Sequence, residues 1–172
     1  MLTGSNVELK ARCPDHGKAR VTLKKLGASF GGVEKQVDTY FKVHAGRLKL
    51  REITGGRSEL IFYRREEAAS RRDCAYEIAT FQEPSALKGV LVSALGVDVC
   101  VAKTREVYWL AGVKVNLDEV DGLGRFIEFE AKVRGRDFKA ADSTVRRLMK
   151  RFGIKPQNTL SCSYSDLIRG SG

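Results

Sequence analysis

The chain has 172 residues and a formal net charge of +10, from 31 Lys and Arg against 21 Asp and Glu. A chain of this length can bury a substantial core, and we expect one domain over residues 1–172. With 42% hydrophobic and 30% charged residues, the composition excludes a disordered chain, and no apolar run is long enough to span a membrane.

Most segments of the sequence alternate between apolar and charged residues, which is the pattern of a β-strand with two different faces. Residues 6–12 are an example: Val7 and Leu9 lie on one face, and Glu8 and Lys10 lie on the other. In chain order, strands are predicted over residues 6–12, 34–43, 46–52, 60–65, 72–80, 97–110, 113–120 and 124–130.

Helices are predicted where apolar residues recur at helical spacing between capping residues. Asp15 is the expected N-cap of the first helix, and Gly27 is expected to end it. Gly31 and Gly32 are expected to form a turn, and Asp142 or Ser143 to begin the third helix. In chain order, the predicted helices cover residues 17–26, 84–95, 142–152 and 163–169.

Charged side chains recur in phase on the predicted strands. An ordinary sandwich with charged faces in water explains any one strand, but exposed faces usually mix in Thr, Ser and Gln. We therefore predict an α+β fold in which a closed eight-stranded antiparallel β-barrel has a charged lumen and helices packed outside. The in-phase cations are Lys10, Arg12, Lys49, Arg51, Arg65, Arg72, Lys103 and Arg105. The in-phase acids are Glu8, Asp118, Glu128 and Glu130.

Such a lumen suits a polyphosphate that carries a divalent metal. Arg offers bidentate hydrogen bonds to phosphate oxygens, and Lys offers a point charge. Glu128 and Glu130 share one strand face, and neighbouring carboxylates repel each other unless a cation lies between them. Mg²⁺ and Mn²⁺ prefer oxygen ligands of this kind. For Asp38, a role in the lumen and a structural hydrogen bond both stay open.

Five segments, in order, carry a resemblance to a known family: NVELKAR from Asn6, QVDTYFKV-HAGRLKLRE from Gln36, LIFYRRE from Leu60, Lys103-Thr104-Arg105, and VNLDEVDGLGRFIEFE from Val115. Together they resemble the CYTH superfamily, the triphosphate tunnel metalloenzymes, which include class IV adenylate cyclases and thiamine triphosphatases. The resemblance extends to about Tyr164. It implies a closed eight-stranded tunnel with a charged lumen.

The resemblance also implies roles for individual residues. The family signature E-x-E-x-K falls on Asn6, Glu8 and Lys10, so an amide replaces the first carboxylate, and Glu8 and Lys10 are the implied catalytic residues. Tyr63 stands where the family has a lysine, and Arg65 is expected to supply that charge. The implied metal ligands are Glu8, Asp118, Glu128 and Glu130. The implied phosphate-binding residues are Lys10, Arg12, Lys49, Arg51, Arg65, Arg72, Lys103 and Arg105.

We therefore expect a triphosphatase that acts on an inorganic or organic triphosphate and uses Mg²⁺ or Mn²⁺. One alternative is a class IV adenylate cyclase that converts ATP to cyclic AMP and pyrophosphate. A second alternative, favoured by Asn6, is a protein that binds a nucleotide or polyphosphate without turnover.

The same features bear on partners and location. Nucleic acid is disfavoured as a partner, because acids interleaved with the cations would repel a phosphate backbone. The apolar outer faces are compatible with a homodimer. Four scattered cysteines without a C-x-x-C pair favour reduced thiols, so we expect a cytoplasmic location and no membrane partner.

Overall fold

The computed structural model describes residues 2–65, 73–133 and 137–170. Within these residues the chain forms an α+β fold with one large antiparallel sheet, as predicted. The strands are β1 (Leu2–Arg12), β2 (Ser29–Phe41), β3 (Arg47–Ile53), β4 (Ser58–Arg65), β5 (Asp73–Phe81), β6 (Val97–Leu110), β7 (Val113–Val120), β8 (Gly124–Lys132) and β9 (Thr159–Leu160). The helices are α1 (His16–Lys25), α2 (Ser85–Leu95), α3 (Phe138–Arg151) and α4 (Tyr164–Arg169).

The nine strands of the described sheet follow the order β5-β4-β3-β2-β6-β7-β8-β1-β9. Strand β1 pairs with β8 over residues 6–12 and with β5 over residues 2–7. Strand β1 therefore contacts strands from both ends of this order. The two-residue strand β9, which the sequence did not predict, pairs with Lys10 and Ala11 of β1.

The register of β1 and β8 places the charged residues of the signature segment together. Glu8 lies opposite Glu130, and Lys10 lies opposite Glu128. Because side chains alternate along a strand, the apolar residues between them, including Leu9, point to the other face. That face packs under α1 and α3 in the main hydrophobic core.

Helices α1 and α3 each begin at a residue whose side chain caps them. Asp15 accepts a hydrogen bond from the Lys18 backbone amide at 2.9 Å, which confirms the predicted cap of α1. Helix α3 begins earlier than predicted, because Asp137 caps it by accepting from the Ala140 amide at 2.9 Å. Its apolar side, which includes Val145, is buried in the main core.

Two expectations about the chain path were wrong. The pair Gly31–Gly32 is no turn: strand β2 continues through it with a register shift against β6, and Gly32 has a φ of +120°, a value that favours glycine. Helix α4 is not packed outside the sheet, since Tyr164 joins an interior cluster with Tyr40 and Phe126. In the described part of the chain, no helix is both long and apolar enough to cross a membrane.

Candidate functional site

A cavity of about 450 Å³ collects most of the charged side chains predicted for the lumen. In the described residues, its wall carries seven cations and five carboxylates. Counted over these residues, the charge of the wall is nearly balanced, with seven cations against five carboxylates. The cations are Lys10, Lys49, Arg51, Lys103, Arg105, Lys114 and Lys132, and the carboxylates are Glu8, Asp38, Glu59, Glu128 and Glu130.

Three of the cations converge on Asp38, whose carboxylate is 1% exposed. Lys49 and Lys103 donate to Oδ2 at 3.0 and 3.1 Å, and Arg51 donates to both oxygens at 2.8 and 3.0 Å. Burial alone would raise the pKa of Asp38, but the adjacent cations outweigh it and hold the pKa well below its usual value. Asp38 is therefore an ionised counter-charge that holds three cations in place.

Lys103 is a buried cation whose pKa lies well below its usual value. Burial lowers the pKa of Lys103 to about 7; Asp38 opposes this, while Arg51, Arg105 and Lys49 add to it by repulsion. Near neutral pH its ammonium group therefore loses its proton easily. An anion that bound beside it would favour the protonated form.

Arg105 is the centre of a second buried network, made mostly of carboxylates. Its guanidinium donates twice to Asp118, both at 2.7 Å, and once each to Glu128 at 2.6 Å and Glu130 at 3.4 Å. Burial opposes a charge on Arg105, but the carboxylates raise its pKa well above the usual value. Lys10 and Arg105 together lower the pKa of buried Glu128. Asp118 and Glu128, whose pKa values are both lowered by the adjacent Arg105, are thus held ionised.

Tyr164 of α4 connects this network to Lys10. Its hydroxyl donates to Asp118 at 2.7 Å, and its ring lies 3.8 Å from the Lys10 ammonium in a cation–π contact. Lys10 also pairs with Glu128 at 3.2 Å. The helix is anchored because Arg47 pairs with Asp166 at 2.9 Å. Helix α4 therefore forms part of the site.

The donors in the cavity match a hard divalent cation by chemistry. Glu8 lies opposite Glu130 across the β1–β8 pair, and Asn6 buries a side-chain oxygen with no hydrogen-bond partner among the described residues. Within the same residues, no group of three or more His, Cys, Asp and Glu side chains is arranged to hold a metal ion. Arg105 lies between the carboxylates, so a metal there requires the guanidinium to release Glu128 and Glu130.

The structure brings together most of the predicted site residues. Those that line the cavity are Glu8, Lys10, Lys49, Arg51, Lys103, Arg105, Glu128 and Glu130. Asp118 lies behind them, fully buried, and accepts from Arg105 and Tyr164. Because three hydrogen bonds already occupy its oxygens, the geometry favours a supporting role for Asp118 over metal ligation.

The prediction that Arg12 lies in the lumen was wrong. It is in phase with Lys10, but its exposed side chain donates to the Leu123 carbonyl at 3.2 Å and lies over Phe126, outside the cavity. Arg65 ends β4, and its side chain lies outside the described part of the chain, as does the whole of Arg72.

Sequence reasoning missed several residues of the site. The role of Asp38 was left open, because an acid in phase with Tyr40 does not reveal three cations on other strands. Tyr164 carried no signal beyond its place near the end of the family resemblance. Asn116 is in phase with Asp118 on β7, and its amide donates to Glu130 at 2.6 Å.

Comparison with known proteins identifies the family of the chain. The model of the CYTH domain matches residues 5–164, and the chain belongs to the CYTH domain family. A protein of Methanocaldococcus jannaschii named "Putative adenylate cyclase" is 26% identical over 173 residues, which cover 94% of this chain and 97% of that protein.

Two solved structures share the fold. The PH1012 protein of Pyrococcus horikoshii OT3 has a TM-score of 0.84 and 24% identity, covering 94% of this chain and 98% of its own. A "putative adenylyl cyclase" of Hippeastrum, described as having a dominant triphosphatase activity, has a TM-score of 0.66 and 17% identity, covering 98% and 96%. At these identities, the likeness shows the fold alone.

Proposed function

We propose that this chain is a divalent-metal-dependent triphosphatase that acts on a triphosphate held in the cavity. The observation that carries the proposal is the presence of two ionic networks at one cavity: three cations around Asp38 and three carboxylates around Arg105. The first network suits phosphate oxygens, and the second suits a metal ion. Membership of the CYTH domain family supports both.

We propose further that the sheet acts as a closed eight-stranded tunnel. Six consecutive register pairs between β1 and β5 support this, because β1 also pairs with β8. A tunnel would exclude bulk water from the phosphates. Electrostatic interactions are stronger in such a medium of low dielectric constant.

Mg²⁺ or Mn²⁺ would be held by Glu8, Glu128 and Glu130. When bound, such an ion would act as a Lewis acid and would offset the negative charge of the phosphate oxygens. The near balance of charge on the wall supports this requirement, since a triphosphate needs more positive charge than the side chains supply.

In the proposed reaction, water attacks the terminal phosphorus, and the bond from that phosphorus to its bridging oxygen breaks. The leaving diphosphate takes the electron pair of that bond. Lys49, Arg51 and Lys103 would bind the phosphate chain, and Lys10 would offset charge on the oxygens. We assign the water proton to Glu8, which lines the same cavity.

A class IV adenylate cyclase is the second candidate, supported by the name of the Methanocaldococcus relative. In that reaction, the ribose 3′-hydroxyl attacks the α-phosphorus and pyrophosphate leaves. The reported activity of the Hippeastrum protein supports hydrolysis instead. A protein that binds a triphosphate without turnover is the third candidate, because Asn6 replaces the first acid of the family signature.

Further proposals concern the domain organisation, the location and the partners of the protein. We propose that residues 1–172 act as one domain in the cytoplasm, with neither a membrane nor nucleic acid as partner. The apolar helix α2 has no buried residue, and Val90 is 65% exposed, which supports a homodimer through this surface.

The test is to incubate the protein with ATP, and separately with inorganic triphosphate, in the presence of Mg²⁺ or Mn²⁺, and to resolve the products. The Glu128→Ala, Glu130→Ala double variant should lose turnover. Glu119→Ala is the matched control, since Glu119 is exposed on the neighbouring strand β7 and pairs only weakly with Arg125 at 3.4 Å.

Each outcome selects one candidate. Metal-dependent orthophosphate release that the double variant lacks would support the triphosphatase. Cyclic AMP with pyrophosphate would establish the cyclase. Tight binding of triphosphate without any product would leave the binding protein, and neither binding nor turnover would refute all three.

A further inference from the structure

Among the described residues, one part of the cavity wall consists of four neighbouring uncharged side chains. Strands β4 and β5 contribute two directly opposed pairs, Ile61 with Ile78 and Tyr63 with Tyr76. We call these four residues the apolar wall. Ile61 also lies opposite Lys49 on β3, so a cation and an apolar side chain line the cavity side by side on adjacent strands.

The apolar wall carries no charge at ordinary pH. Burial raises the pKa of the Tyr63 phenol, and the neighbouring Tyr40 adds to the effect. Tyr40 itself has a pKa raised to about 12, mainly by burial. Both phenols are therefore neutral and present rings to the cavity.

The members of the apolar wall differ in accessibility. Ile61 and Tyr63 are 7% and 8% exposed and pack into the interior cluster with Tyr164. Tyr76 and Ile78 are only partly buried, although both line the cavity. A ligand in the cavity would therefore contact Tyr76 and Ile78 first.

An inorganic triphosphate matches this wall poorly. Every oxygen on its surface is polar or charged, and placing such groups against the isoleucine side chains and the tyrosine ring faces, which offer no hydrogen bond, is costly. A triphosphate that bears an organic group matches both halves of the cavity: phosphates meet the cations, and an aromatic or aliphatic group covers the apolar wall.

We infer that the apolar wall binds the organic group of an organic triphosphate, and that Ile78 and Tyr76 determine the preference for such a substrate over inorganic triphosphate. This inference rests on the proposed function. It assigns specificity to two residues on β5 and leaves the choice between hydrolysis and cyclisation untouched.

The test is the ratio of kcat/KM for organic and inorganic triphosphate, measured with ATP, GTP, thiamine triphosphate and inorganic triphosphate. Ile78→Ala should lower the value for the preferred organic substrate by about tenfold or more, and that for inorganic triphosphate by less than about twofold. Ile78→Lys should shift the ratio further toward inorganic triphosphate, because it adds a cation to the wall.

Ile154→Ala is the matched control, since Ile154 is also partly buried but packs against the main core, away from the cavity. If the wall only supports packing, Ile78→Ala will lower both values together and leave their ratio unchanged, which would overturn the inference. A wild-type protein that uses inorganic triphosphate better than every organic probe would also overturn it.

Failure of the proposed function gives a different result. If no triphosphate is turned over, the affinities for organic and inorganic triphosphate are compared instead, from Kd values measured by calorimetry. Ile78→Ala should then weaken the binding of the organic triphosphate much more than that of inorganic triphosphate, and Ile154→Ala should change neither. If no triphosphate binds or reacts, the proposed function itself is refuted, and the inference falls with it.

Discussion

Replacing Asp38 by Asn should strongly destabilise the protein. Asn has nearly the same shape as Asp but carries no negative charge. Buried Lys49 and Lys103 and partly buried Arg51, all within 3.1 Å of the Asp38 carboxylate, would then lose their shared counter-ion. Removing one partner of a buried ion pair typically costs about 3–5 kcal/mol, because the other charge stays desolvated and unpaired.

For a chain of this size, 1 kcal/mol corresponds to a change in Tm of roughly 2–4 °C. We therefore expect Asp38→Asn to lower Tm by about 6–20 °C, measured by circular dichroism at pH 7 without ligand. Saturating inorganic triphosphate should raise Tm more in Asp38→Asn than in the wild type, because its oxygens would meet cations that have lost their carboxylate.

Asp142→Asn is the matched control. Asp142 pairs with Arg146 on the exposed side of α3 at 2.7 Å, and exposed pairs contribute only about 0–1 kcal/mol. A Tm for Asp38→Asn within about 2 °C of the wild type would refute the view that Asp38 neutralises a buried cationic cluster.

Three further predictions concern the other network and the titration of the site. Tyr164→Phe keeps the ring over Lys10 but removes the hydroxyl that donates to buried Asp118. The free energy of unfolding, measured in urea, should therefore fall by about 1–3 kcal/mol, and an unchanged midpoint would contradict this role. Arg105→Gln should lower Tm without metal but increase the rise in Tm that Mg²⁺ causes, because Glu128 loses its ion pair with Arg105. An equal rise in Tm with Mg²⁺ in the variant and the wild type would argue against a metal at these carboxylates. The pKa of Lys103 is about 7 in the folded chain and higher in the unfolded chain. Above pH 7 the unfolded chain therefore binds more protons than the folded chain. The contribution of Lys103 to the free energy of unfolding should accordingly rise with pH in that range. Binding of inorganic triphosphate at pH 8 should accordingly take up as much as about one proton, measured by calorimetry in buffers of different ionisation enthalpy, and Lys103→Arg should abolish the uptake.

The sequence was sufficient to predict the α+β class, eight of the nine described strands, and the shared strand faces of Glu8 with Lys10 and of Glu128 with Glu130. The reason is local: side chains alternate along a strand, so charged residues two positions apart must share a face. Glu8 and Lys10 on β1, and Glu128 and Glu130 on β8, line the cavity as this rule predicts. The ordered motifs also identified the family.

Residues on the same face of a strand do not all line the cavity. Arg12 follows Lys10 in phase, yet it lies beyond the end of the cavity and is exposed. Gly31 and Gly32 had the composition of a turn, but pairing with β6 kept the strand continuous through a bulge. In both cases the tertiary partner decided the outcome, and a single strand contains no information about that partner.

The sequence by itself determined which charges exist and which face each one occupies. Only the tertiary structure decided which charges neutralise each other. Asp38 reaches Lys49 on β3 and Lys103 on β6, which are 11 and 65 residues away along the chain. Tyr164 reaches Asp118 across 46 residues. Hydrogen bonds and ion pairs act over about 3–4 Å, so these partners are selected by strand order and register, which no local pattern encodes.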